Sequence, residues 1–170
     1  MCEKLVTTAQ RLVKLAVVGA GAVGKSTLIA RLATGTFINK EMTVGFDIES
    51  WTITTEDDHA IKVAMFDFGG QQQFRFFQGS LMTGAKAALL VFDCCSYPSL
   101  MQIEEWLPLL EPIPDEKKLL VGNKLDQLGR VPEDLICESC EAFGFDYILV
   151  SAMTGQNFDK LEQRLEEMVS

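Results

Sequence analysis

Residues 14–27, KLAVVGAGAVGKST, constrain this chain more than any other stretch. Leu15-Ala16-Val17-Val18 is an apolar, partly β-branched run that reads as a strand. It enters a loop of small residues from Gly19 to Gly24, and Lys25-Ser26 then opens a helix-forming segment. Gly19, four residues, Gly24, Lys25 and Ser26 form the spacing of a phosphate loop. Glycines let backbone N–H groups turn inward around a phosphate, and the new helix adds its positive end and unpaired donors. Lys25 suits the terminal phosphates as a point charge, and the Ser26 hydroxyl suits Mg2+. A dinucleotide-binding turn is the competing reading, but its glycine spacing is absent and Lys-Ser follows the last glycine.

With 170 residues and 48% hydrophobic content, the chain suits a single domain over 1–170, with residues 1–12 as a short N-terminal extension of loosely helical spacing. A net charge of −9 argues against a nucleic-acid surface or a polybasic membrane anchor, both of which need clustered cations, and points to protein partners. No apolar run approaches a membrane span and the first residues lack signal-peptide order, so a cytoplasmic chain is expected. The five cysteines read as reduced thiols. Cys137 and Cys140 have the spacing of half a zinc site that Cys94-Cys95 would complete, without histidine support. His59, the only histidine, falls in a polar turn and takes no catalytic role.

The remaining elements alternate. Strands are expected at 13–18, 46–55, 60–66, 87–93, 118–121 and 147–150, and helices at 25–33, 74–81, 100–110, 132–143 and 157–168, with Gly35 closing the first helix. That order predicts an α/β fold of the phosphate-loop NTPase type: a six-stranded, mainly parallel sheet with helices on both faces. One hairpin supplies an antiparallel edge strand. Ligands of such sheets sit beyond the carboxyl ends of the strands, where the phosphate loop, Asp67, Asn123 and Ser151 all fall.

The order of these loops resembles the small GTPases of the Ras superfamily, over nearly the whole chain. The phosphate loop is followed by Asp67-Phe68-Gly69-Gly70 and by Asn123-Lys124-Leu125-Asp126, with Ser151-Ala152-Met153 after the last strand. The resemblance implies that GTP or GDP is bound by Gly19, Gly21, Ala22, Val23, Gly24, Lys25, Ser26 and Thr27 at the phosphates. Asn123, Lys124, Asp126, Ser151, Ala152 and Met153 would serve the base, with the backbone around Ala152 contacting the guanine oxygen. An Asp carboxylate accepts two bonds from guanine N1–H and N2–H, which adenine does not offer, so Asp126 would select guanine. Phe37 matches an aromatic that packs edge-on to the base, and it equally suits a loop anchor in the core. Ser26, Thr43 and Asp67 would hold Mg2+, the Gly70 N–H would bind the γ-phosphate, and Gln71 would orient the attacking water. With Lys25, Gln71 carries the hydrolysis.

Departures leave the Ras, Rab or Arf-like subfamily open. The loop from Phe37 to Thr43 is one residue shorter than in Ras and lacks its tyrosine and proline, and Phe-Gly-Gly-Gln is closer to Arf-like and Gα proteins. Residues 165–170 do not resemble a prenylation box and Cys2 stands where a myristoylated protein has Gly, so no stable membrane anchoring is expected from these residues. The expected function is a slow GTP-hydrolysing switch served by protein effectors, an activator and an exchange factor. The alternative is a GTP-binding structural or assembly module with negligible hydrolysis. Arg75 is the nearest arginine to Gln71 and reads as a surface residue. Phe74, Phe76 and Phe77 suit either a partner patch or the core.

Overall fold

A computed structural model describes residues 10–70, 75–129 and 132–170, with the backbone alone for 75–77. The strands are β1 (Arg11–Val18), β2 (Phe46–Thr54), β3 (Ala60–Phe68), β4 (Ala87–Asp93), β5 (Lys118–Asn123) and β6 (Asp146–Leu149). They form one sheet in the order β2-β3-β1-β4-β5-β6. All neighbours are parallel except β2, which runs antiparallel to β3 at the edge as the tail of the hairpin. The helices are α1 (Lys25–Thr34), α2 (Arg75–Met82), α3 (Tyr97–Met101), α4 (Glu133–Phe143) and α5 (Phe158–Val169).

Strand alternation supplies two cores. Val13, Leu15 and Val17 of β1 pack on one face with Leu28 and Ile29 of α1 and Leu161 and Leu165 of α5. Ala16 and Val18 point the other way, to Trp106, Leu110, Ile136 and Cys140. β4 and β5 are buried almost throughout, as strands covered on both faces must be. Gly35 ends α1 in the left-handed conformation with its N–H on the Arg31 carbonyl, as expected.

Three expectations need correction. β1 begins at Arg11, because Arg11 and Leu12 pair with Ile61 and Lys62 of β3, so the first strand takes in the last two residues assigned to the extension. Residues 1–9 of that extension lie outside the described residues. The single helix expected over 100–110 is instead α3 followed by a 3-10 run, Gln102–Leu110. Pro98 near the start of α3 favours an earlier beginning, and Pro108 has no N–H for an i to i−4 bond. Asp67 and Asn123 are not loop residues: the ladder continues through both, Asp67 beside Val17 and Asn123 beside Asp93, and each is 3% exposed. Among the described residues no helix is long and apolar enough to cross a membrane.

Candidate functional site

The phosphate loop is shaped by close approach. At Gly19, φ is 148° and a Cβ would fall 2.1 Å from the Val91 carbonyl oxygen of β4. Gly24 caps α1 at φ 94° and ψ 30°, and a Cβ there would meet Asn123 Nδ2 at 2.3 Å. Lys25 folds back over the loop, donating from Nζ to the Gly19 and Ala20 carbonyls at 3.1 and 2.8 Å. Its burial pushes the ammonium pKa down to about 8, against the opposing pull of the Asp67 carboxylate.

Three oxygen donors converge beside it. Asp67 Oδ2 accepts from Thr43 Oγ1 at 3.1 Å and from Ser26 Oγ, and the two hydroxyls are 2.6 Å apart. Asp67 Oδ1 is buried with no hydrogen-bond partner among the described residues. A carboxylate and two hydroxyls are a hard, oxygen-only donor set, and a cation or its water would satisfy the orphaned Oδ1; the residues fit Mg2+. Gly70 lies against the phosphate loop so closely that a Cβ would sit 2.3 Å from the Gly21 nitrogen.

At the other end, Asn123 ties two loops together: Nδ2 donates to the Val23 carbonyl at 3.1 Å, and Oδ1 accepts the Ala152 N–H at 3.0 Å. Lys124, itself left-handed at φ 64°, donates to the Ala22 carbonyl at 2.8 Å and pairs with Asp93 at 3.1 Å. The Ser151 hydroxyl donates to Asp126 Oδ1 at 2.6 Å and fixes the carboxylate's orientation.

The expected residues line one cavity of about 440 Å³, with three exceptions among those described. Gly19, Val23 and Ser151 stand behind the lining and act through Lys25, Asn123 and Asp126. Phe37 lines the cavity at 39% exposure, so it is not a core anchor. Gln71 and Phe74 lie outside the described residues, as do the side chains of Arg75, Phe76 and Phe77. Sequence reasoning missed Asn39 to Met42, which also line the cavity and whose only signal was adjacency to Thr43. It also missed Asp93, whose signal was a carboxylate ending an otherwise apolar strand.

No group of three or more His, Cys, Asp or Glu able to hold a metal occurs among the described residues, so the zinc reading has no support there. Cys94 and Cys140 are free buried thiols. Burial pushes both up to about 12. His59 is exposed at the hairpin turn.

The Ras family model matches residues 14–170. "Ras-related protein Rab-18" of Lymnaea stagnalis is 32% identical over 172 residues, covering 98% of this chain and 81% of that protein. "Ras-related protein Rab-1D" of Dictyostelium discoideum is 30% identical over 152 residues, covering 86% and 74%. "Ras-related protein RABE1e" of Arabidopsis thaliana is 32% identical over 170 residues, covering 92% and 78%. With a phosphate loop, a guanine-type Asn-Lys-x-Asp loop and a matching sheet already in place, the chain belongs to the Ras family and is a small GTPase.

Proposed function

We propose that the chain, a single domain over 1–170, is a cytoplasmic switch that binds GTP and GDP with Mg2+ and hydrolyses GTP slowly unaided. The observation that carries this reading is the convergence of Ser26, Thr43 and Asp67 beside Lys25, in the same cavity that Asp126 enters from its far end.

In that cavity Lys25 exchanges its loop carbonyls for the terminal phosphates, which hold it protonated. Asp126, held by Ser151, accepts from the guanine N1–H and N2–H. Ser26, Thr43 and Asp67 would hold Mg2+, which would supply positive charge against the phosphate oxygens. The Gly70 N–H takes the γ-phosphate and Gln71 orients the attacking water. Once that phosphate leaves, Thr43 and Gly70 each lose a contact, and both loops relax. No arginine lines the cavity among the described residues, so an activating partner supplying one would contribute a factor of about 10³–10⁵. Effectors and an exchange factor complete the expected set of protein partners.

Single-turnover phosphate release from GTP-loaded protein tests the proposal. Wild type should turn over slowly and Gln71→Leu at least tenfold more slowly. Equal, negligible release from both would instead make GTP a structural cofactor of a binding module.

A further inference from the structure

Arg31 belongs to no motif, yet it joins the end of α1 to the loop after β6. Its Nη1 donates to the Ala152 carbonyl at 3.1 Å and to the Met153 carbonyl at 3.3 Å. The guanidinium lies over the Phe158 ring, 5.4 Å from its centroid. Gly155 closes the other side: a Cβ there would meet Arg31 Nη2 at 2.2 Å, and φ is 84°. One planar cation is thus packed against a ring and a glycine backbone while a single nitrogen, Nη1, holds two successive carbonyls.

Those carbonyls belong to the two residues that line the base end of the cavity. Ala152 is gripped on both sides, its N–H on Asn123 Oδ1 and its carbonyl on Arg31. Within the loop, the Ser151 hydroxyl accepts from the Thr154 N–H at 3.1 Å and the Gly155 N–H donates to the Ser151 carbonyl at 2.8 Å. These bonds shape the turn but do not fix it to the body of the protein. Asn123 does so from the phosphate side, the Ser151–Asp126 bond from the base side and Arg31 from the helix side.

We infer that Arg31 is a positioning residue for base recognition, holding the 152–153 backbone at the depth where it meets the guanine oxygen. The inference rests on the guanine reading above. Arg31 touches no nucleotide; it acts through the loop it clamps.

The test compares GDP with 6-thioguanosine diphosphate. Sulfur there replaces the base oxygen with a larger, weaker acceptor, while N1–H and the amino group that Asp126 reads are kept. Wild type should prefer GDP. In Arg31→Ala, GDP affinity should fall about tenfold, the loss expected for a charge-assisted bond of this kind, while the thio analogue changes little and the preference collapses. A merely structural role would lower the thermal midpoint or weaken both ligands equally, leaving the ratio intact, and that result overturns the inference. Arg31→Lys keeps the charge and one donor; it should move the ratio part of the way and carries the test should Arg31→Ala not fold. A wild type that binds both ligands equally overturns the base-loop reading itself and the inference with it. Discrimination by wild type with an unchanged ratio in both variants overturns the inference alone.

Discussion

Asn123 and Gly24 offer the sharpest test of how the site is held together. Asn123→Ala removes both side-chain bonds and leaves the Val23 carbonyl and the Ala152 N–H buried without partners. Each orphan costs about 1–3 kcal/mol, so the nucleotide-free chain should lose about 2–6 kcal/mol. Gly24→Ala fails for a different reason. Its Cβ would stand 2.3 Å from Asn123 Nδ2, at a φ of 94°. Overpacking costs about 1–3 kcal/mol and the left-handed backbone about 1–2 kcal/mol more. In the double variant the amide is gone, so the clash vanishes while the backbone strain stays. The two single losses should therefore exceed the double loss by about 1–3 kcal/mol. Urea denaturation of the four nucleotide-free proteins, compared at matched m-values, measures this coupling. Additivity within about 0.5 kcal/mol would refute the claim that the amide fills the space a Gly24 side chain would need.

Asp126→Asn exchanges an acceptor for a donor at the base edge, so GTP should weaken and xanthosine triphosphate strengthen, read by competition against a fluorescent nucleotide. Lys25, at about 8 in the open site, should make GDP affinity pH-dependent. Bound phosphate keeps the lysine protonated, so binding takes up a proton above pH 8 and affinity falls toward tenfold per unit as pH rises. A flat profile from pH 7 to 9 would contradict the lowered value. Because burial holds Cys94 and Cys140 protonated, native protein at pH 8 should leave both unalkylated by mass spectrometry, with the exposed Cys95 labelled and both buried thiols reacting only after unfolding.

The parts of the site legible in the sequence were those whose chemistry is local. The glycine loop with Lys25 and Ser26 is a contiguous run whose residue types are dictated by backbone conformation. Asp126 is tied to its strand by four residues. The continuous apolar runs over β4 and β5 likewise announced a sheet covered on both sides. What escaped reading depends on partners far along the chain: Arg31 reaches carbonyls more than a hundred residues away, and Lys124 finds Asp93 only because β4 and β5 are neighbours. The 3-10 run escaped because the spacing of Ile103, Trp106 and Leu110 marks one buried face in either helix type, and only Pro108 tips the choice.

The edge position of β2 sets where the site can move. Of its nine residues only Ile53 is buried, and Ile53 pairs with Ile61 at the turn end of the hairpin. Phe46 and Ile48, at the end that follows Thr43, are 45% and 47% exposed. The strand is paired with β3 along its whole length, yet it buries its apolar anchor only at the turn end, and the exposed end adjoins the loop that carries Thr43. Displacing that loop uncovers little apolar surface that water does not already reach, whereas displacing β1, β4 or β5 would open both cores. Opening of the first loop thereby draws on the lowest tier of local stability in the sheet, and the fold that positions Lys25, Asn123 and Asp126 stays closed while it happens.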